Sequence, residues 1–207
     1  GVVYDGWSDA LHMVDRMPDG WQTWRKIRVI DFGYVNPFVC QWWAIDPDGR
    51  MVRYREIYMT KRTVADHAVK INLLSQGESY EATVCDHDAE DRATLRQSGI
   101  ASISAIKDVS RGIQAVQQRL NRGHDDKPHL FLLKGALVER DGALVEERKP
   151  ISTEQEFPGY IWQTTADGKP NKEEPLKVND HGMDATRYAV MYLDGKPPRR
   201  MPESFQR

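Results

Sequence analysis

The chain has 207 residues, enough for one domain with a substantial hydrophobic core. Hydrophobic residues make up 40% of it and charged residues 29%, the ordinary balance of a globular protein. No apolar run approaches the ~18 residues that a membrane span needs, and no G-x-x-x-x-G-K-[ST] loop for ATP phosphates occurs. We therefore expect no membrane partner and no ATP hydrolysis by these residues.

The first part of the chain predicts a short lead-in and a three-strand meander. Residues 1–24 have weak periodicity and many turn formers, and we predict a lead-in or linker segment there. Alternating apolar residues then predict strands at 26–30, 38–45 and 51–58. The turn sequence Asp46-Pro47-Asp48-Gly49 joins the second strand to the third, so an antiparallel meander is expected.

Helices and strands alternate after the meander. The spacing of apolar residues predicts helices at 63–74, 89–98 and 109–120, and strands at 82–85, 100–106 and 129–133. Within the Gly-, Pro- and charge-rich region 134–178, short strands or irregular loop are predicted at 143–147 and 159–163. A last helix is predicted at 180–193, and a tail at 196–207. Residues 25–195 thus predict an α/β domain with a mixed central sheet, an antiparallel three-strand meander and helices on both faces, the ribonuclease H-like arrangement.

Three aspartates stand where predicted elements reach the rim of such a sheet. Asp31 ends the first strand, Asp86 follows the strand at 82–85, and Asp184 lies in the last helix. Packing poorly explains a carboxylate directly after a buried strand, whereas Mg²⁺ and Mn²⁺ prefer such oxygen ligands. The alternatives are an ordinary turn aspartate at Asp31 and a surface helix residue at Asp184.

The last helix adds two further candidates. His181 precedes Asp184 by three residues, so both lie on one helix face. Asp180 is either another ligand or the N-cap of this helix, a position that favours aspartate. Asp88 is expected to be the N-cap of the helix at 89–98 rather than a ligand.

Three motifs carry a resemblance to a known family. VIDFGYVNP, CDHDAEDRATL and DHGMDATRYA, in this order, resemble the C-terminal nuclease domain of viral large terminases, and DHGMDATRYA is the most specific of them. The opening GVVYDGWSDALHMV resembles the segment that joins the ATPase domain of that family to its nuclease. The resemblance covers essentially the whole chain and implies a metal-dependent endonuclease that cuts concatemeric viral double-stranded DNA during genome packaging.

The resemblance also implies roles for individual residues. Asp31, Asp86 and Asp184 would be metal ligands, with Asp180 carried over loosely and His181 as a nearby site residue. We hypothesise that Asp31 bridges two Mg²⁺ or Mn²⁺ ions while Asp86 and Asp184 each hold one. His181 would orient water or assist proton transfer, unless it is only a helix-end residue. The candidate phosphate contacts are Lys107, Arg111, Lys134, Arg148 and Lys149. For each of them, the alternative is an ordinary surface charge exposed to solvent.

The family context implies partners outside this chain. These are double-stranded DNA, the ATPase domain of the same full-length subunit, the portal protein and the small terminase subunit. Cys40 and Cys85 lie in apolar stretches and favour a reducing compartment, which the resemblance identifies as the cytoplasm of the host cell.

Other functions remain open from the sequence. A junction resolvase or a transposase core would share the acidic triad, and a non-catalytic module that docks on a portal or DNA would share only the fold. The net charge of −2 is low for a protein that binds DNA by itself, since phosphate neutralisation drives such binding. If DNA is the substrate, local positive charge, bound metal or a partner domain must supply the missing cations.

Overall fold

The computed structural model describes residues 1–195, and the predicted tail at 196–207 lies outside the described residues. The strands are β1 (Met13–Val14), β2 (Arg25–Asp31), β3 (Phe38–Ile45), β4 (Met51–Met59), β5 (Ala82–Cys85), β6 (Ile103–Ser104), β7 (Leu130–Leu133), β8 (Trp162–Thr164) and β9 (Pro170–Pro175). The helices are α1 (Asp9–His12), α2 (Val64–Leu74), α3 (Ala89–Gln97), α4 (Val109–Leu120), α5 (Gly142–Glu146), α6 (Thr153–Glu156) and α7 (His181–Asp194).

Seven of these strands form one mixed sheet in the order β1-β7-β4-β3-β2-β5-β6, while β8 and β9 form a separate antiparallel pair. Strand β3 is antiparallel to β2 and β4, and the other neighbours in the large sheet are parallel. The predicted meander β2-β3-β4 and the mixed α/β sheet are therefore confirmed. No helix within residues 1–195 is long and apolar enough to cross a membrane.

Strand alternation divides the core between the two faces of the sheet. Val29 of β2 shares one buried cluster with Val190 of α7, and residues of α4 lie in the same cluster. The next residue, Ile30, belongs to the cluster on the opposite face together with Ile71 of α2. Because side chains alternate along a strand, Asp31 follows Val29 onto the α7 face. The helices thus cover both faces, as predicted.

The region 134–178 departs from the prediction. The segment 143–147, predicted as a short strand or irregular loop, instead forms most of helix α5 and its C-cap, Glu147. The N-cap of this helix, Asp141, accepts hydrogen bonds from the backbone N–H groups of Ala143 and Leu144. The same carboxylate accepts from the backbone and side chain of Thr60, a contact that sequence periodicity does not report. Within residues 159–163, Gly159 ends a 3-10 turn that begins at Phe157, Ile161 forms an isolated bridge with Val2, and the last two residues begin β8.

Two other predicted segments differ in extent from the structure. The strand predicted at 100–106 shortens to Ile103–Ser104, an edge strand with both side chains exposed. The segment 1–24, predicted as a lead-in, contributes α1 and the edge strand β1, which pairs with β7. Val3 and Tyr4 from this segment are buried in the core.

Candidate metal and nucleic-acid site

The parallel pairing of β2 with β5 aligns two of the predicted site residues. Val29 is paired with Val84, and Ile30 with Cys85, so the next positions in this register are Asp31 and Asp86. Neighbouring strands lie about 4.8 Å apart. The two aspartates, far apart in sequence, therefore emerge side by side at the carboxyl edge of the sheet.

Helix α7 adds His181 and Asp184 to the same place. His181 Nδ1 lies 3.2 Å from Asp31 Oδ2, which joins the first turn of the helix to the end of β2. Asp184 is one turn further along the helix. The structure thus puts Asp86 beside Asp31 in the sheet register, and His181 in contact with Asp31 from the helix that also carries Asp184.

Two neighbouring cavities contain these side chains. One, of about 330 Å³, is lined by Asp31, Asp86, Asp180 and Asp184, together with the cations Lys107, Lys177 and Arg187. The other, of about 500 Å³, is lined by Asp31, Asp180, His181 and Asp184, together with Lys149 and Lys177. The carboxylates therefore face open space that cationic side chains border.

Each of the three central carboxylates has a basic partner of its own. Lys107 Nζ pairs with Asp86, Arg187 donates to Asp184 Oδ1 at 2.8 Å, and His181 pairs with Asp31. Within residues 1–195, no three His, Cys, Asp or Glu side chains converge closely enough to form a ready-made metal site.

The environment sets different proton affinities for Asp31 and Asp86. Burial raises the pKa of Asp31 to about 6, against the opposing effect of His181. Partial burial also acts to raise the pKa of Asp86, but Lys107 and the backbone N–H of His87 outweigh it and leave the pKa below its ordinary value. Asp86 is therefore ionised when Asp31 still holds a proton.

Two of the five predicted phosphate contacts line the cavities, and the other three do not. Lys107 and Lys149 line the two cavities, and Lys149 also pairs with Glu147. Lys134 instead pairs with the exposed Asp15 near β7, a strand that β4 and β3 separate from β2. Arg111 donates to the carbonyl of Gly195, and Arg148 has a left-handed backbone with φ of 56°.

The predicted N-cap hydrogen bond is present at Asp88 and absent at Asp180. Asp88 caps α3 by accepting from the backbone N–H of Asp91 at 2.9 Å, as expected. Asp180 occupies the cap position of α7 but makes no side-chain capping hydrogen bond. Its carboxylate lines both cavities instead.

Sequence reasoning missed several residues at the site. Arg187 is only 5% exposed and reaches Asp184, a contact that the spacing of three residues on one helix face would have indicated. Its side chain crosses α4 at Gly112, where a Cβ atom would lie 2.3 Å from Arg187 Cγ and Cδ. Lys177 and Glu156 had no comparable signal, because they lie in the region that lacked clear periodicity.

Comparisons with known proteins support the fold. No protein-family model and no curated protein matches this chain. Among solved structures, the large terminase of a thermophilic bacteriophage matches with a TM-score of 0.72 and 24% identity, over 93% of this chain and 44% of that one. The nuclease domain of the P22 large terminase matches with a TM-score of 0.68 and 15% identity, over 93% of this chain and 92% of that domain.

A third match is the nuclease domain of the large terminase of bacteriophage SPP1, solved with bound Mn. Its TM-score is 0.64 and its identity 17%, over 94% of this chain and 99% of that domain. The chain spans less than half the length of the thermophilic phage enzyme but nearly the full length of the P22 and SPP1 domains. The resemblance predicted from the sequence is thus confirmed in three dimensions: the chain has the fold of the nuclease domain of phage large terminases.

Proposed function

We propose that this chain is a divalent-metal-dependent endonuclease that cuts concatemeric viral double-stranded DNA during genome packaging. The observation that carries the proposal is the lining of one cleft by Asp31, Asp86 and Asp184. The proposal is supported by their origin on β2, after β5 and on α7, three elements of a fold that is similar to terminase nuclease domains. A purely structural role would not require three acidic side chains beside open space.

The donor set suits Mg²⁺ or Mn²⁺. Asp31, Asp86, Asp184 and Asp180 offer only carboxylate oxygens, which these hard cations prefer. Cys40 and Cys85 are buried free cysteines within the core, and neither lines the cleft. When bound, a pair of such ions would polarise the phosphodiester and lower the pKa of a water molecule. The Mn bound to the SPP1 domain is consistent with this choice.

The cationic side chains are suited to hold DNA phosphates. Lys107 would exchange Asp86 for a phosphate once Asp86 is engaged by a cation. Lys149 and Lys177 border the adjoining cavity, where a second phosphate could be held. Divalent cations bound to the carboxylates of these cavities would leave Lys107, Lys149 and Lys177 to supply local positive charge for DNA.

We infer that His181 holds a proton beside the reacting groups. Its Nδ1 faces Asp31 Oδ2, which fixes the orientation of the ring. Asp31 outweighs the effect of burial and leaves the pKa of His181 above its ordinary value. Nε2 is then the ring nitrogen that can exchange a proton with water or with the leaving oxygen of DNA.

The wider context is part of the proposal. We infer that the chain works as the nuclease portion of a longer subunit with an ATPase domain. The large terminase of the thermophilic phage, of which this chain spans less than half, has also been solved in complex with ADP, which supports this inference. The portal protein, the small terminase subunit and the cytoplasm of the host cell would be the partners and location of the chain.

A plasmid-cleavage assay tests the proposed function. We expect nicking and linearisation with Mg²⁺ or Mn²⁺, none with EDTA, and none for Asp184→Ala. Replacement of the exposed Asp19 by alanine is the matched control and should leave cleavage unchanged. Selective cutting of four-way junctions over duplex would favour a resolvase. Absence of calorimetric Mn²⁺ binding at millimolar concentration would favour a docking module.

A further inference from the structure

The N-terminus of helix α7 is not capped by its own N-cap residue. The first backbone N–H groups of a helix have no partner within the helix, and an aspartate at the N-cap usually accepts from one of them. Asp180 holds that position with φ of −120° and ψ of 11°, yet its side chain makes no capping hydrogen bond. Another group must therefore satisfy these donors, because the first turn is buried against the body of the protein.

Glu156, from helix α6, accepts these hydrogen bonds instead. Its Oε2 accepts from the backbone N–H of Gly182 at 2.7 Å, and its Oε1 accepts from that of Met183 at 3.0 Å. The hydroxyl of Tyr58 donates to Oε2 at 2.8 Å. Glu156 is 1% exposed, so the carboxylate is removed from water and depends on these three donors.

The close approach of α6 to α7 requires glycine at position 182. A Cβ atom there would lie 2.4 Å from Thr153 Oγ1 and 2.8 Å from Glu156 Oε2. On the carbonyl side of the same residue, Gln41 Nε2 donates to the Gly182 oxygen at 3.1 Å. The first turn of α7 is therefore held on both sides of Gly182, by α6 and by β3.

The capping of α7 by Glu156 affects which acidic side chains line the two cavities. His181 and Asp184 flank the two residues that Glu156 holds, and Asp180 precedes them. The Asp180 carboxylate lines both cavities beside Asp31 and Asp184, where a capping aspartate would be turned back onto the helix. We propose that Glu156 is a positioning residue that caps α7 from a neighbouring helix and so leaves the Asp180 carboxylate free for the cation site. The cation part of this inference rests on the proposed function.

Two measurements on the 207-residue chain test the inference in Glu156→Gln. The carboxamide keeps one acceptor oxygen, so exchange of at least one of the Gly182 and Met183 amide protons, followed by NMR, should accelerate about tenfold. Mn²⁺ affinity, measured by calorimetry, should fall about tenfold because supporting groups around metal ligands have effects of this size. Gln155→Glu is the matched control, since Gln155 is exposed in the same helix and glutamate keeps the oxygen that accepts from the backbone N–H of Ile151; it should leave both quantities within about twofold.

A double-mutant cycle separates positioning from general destabilisation. When Glu156 is replaced, Asp180 is expected to turn back and cap α7, so adding Asp180→Ala should weaken Mn²⁺ binding no further. Fully additive losses of affinity would overturn the proposal, as would wild-type exchange and affinity in Glu156→Gln.

Asp180→Ala alone decides the matter if Glu156→Gln does not fold. It should weaken Mn²⁺ binding while leaving amide exchange of Gly182 and Met183 unchanged, because Asp180 does not cap the helix. Faster exchange in this variant would overturn the proposal. If the wild-type chain binds no Mn²⁺, the proposed function fails and the cation part fails with it, whereas the exchange rates still decide whether Glu156 is the cap.

Discussion

His181 Nδ1 and Asp31 Oδ2 lie 3.2 Å apart although 150 residues separate them in the chain. Each residue changes the proton affinity of the other. Burial raises the pKa of Asp31 to about 6, and Asp31 in turn keeps the pKa of His181 above its ordinary value despite burial. Near neutral pH the two side chains therefore form a site that holds or releases a proton.

The stability of the metal-free protein should fall as pH rises through this range. Asp31 loses its proton near pH 4 in the unfolded chain and near pH 6 in the folded protein. Its unfavourable contribution to the stability of the folded protein therefore grows between these two pH values and is complete above pH 6. The difference corresponds to about 3 kcal/mol. His181 acts in the same direction. Its favourable contribution to stability is present below the ordinary pKa of histidine and is lost as the pH rises through the higher pKa of the folded protein.

Urea denaturation in EDTA at about pH 4.5 and about pH 7.5, on either side of the Asp31 titration, measures this effect. Relative to wild type, Asp31→Asn should gain about three times as much stability at the higher pH as at the lower one, where the unfolded residue is already mostly ionised. If the difference in the free energy of unfolding between the two proteins is the same at both pH values, the assignment of a raised pKa to Asp31 is wrong.

Replacement of the central aspartates should abolish cleavage while preserving the fold. Asp31→Ala, Asp86→Ala and Asp184→Ala each remove an oxygen donor that other residues of the cleft do not replace. Circular dichroism checks the fold, and plasmid cleavage in Mn²⁺ checks activity. Asp88→Ala is the contrasting variant: it removes the cap of α3 and should cost about 1 kcal/mol of stability but retain cleavage. A variant of the first three that cuts normally would remove that residue from the proposed site.

Lys107→Gln should strengthen metal binding and weaken DNA binding. The ammonium group competes with a cation for Asp86, and both side chains are partly exposed. We therefore expect Mn²⁺ affinity to rise only about two- to fivefold. The slope of log DNA affinity against log salt should decrease by about one, because one phosphate contact is lost. Lys134→Gln, near the exposed Asp15, should change neither quantity; equal effects of the two variants would exclude a specific role for Lys107.

Gly112→Ala should disturb Arg187 and, through it, Asp184. The added Cβ atom would lie 2.3 Å from the Arg187 side chain, so the guanidinium must move or α4 must separate from α7. Overpacking of this kind typically costs about 1–3 kcal/mol, the range expected here. Thermal unfolding measures the loss, and reduced cleavage at a permissive temperature shows that Asp184 has shifted. Gly142→Ala is the matched control, since its Cβ would meet no atom within 4 Å; a Gly112→Ala protein as stable as this control would contradict the packing argument.

Local sequence patterns predicted the elements that carry the site. The alternation along β2 ends at Asp31, the buried strand β5 ends directly before Asp86, and the spacing within α7 puts His181 and Asp184 on one helix face. These features depend on strand and helix periodicity, which acts between neighbours in the chain. The local pattern of charged and hydrophobic residues therefore predicted which side chains could form the site.

Only the tertiary structure decided which of these residues meet and what holds them. The alignment of Asp31 with Asp86 follows from the register of β2 against β5, and the pairing of Asp86 with Lys107 follows from how the chain returns to the sheet. Glu156 reaches α7 from a helix that its own sequence did not predict. Such contacts join residues distant in sequence, and their geometry depends on packing across whole elements, which a linear pattern does not record.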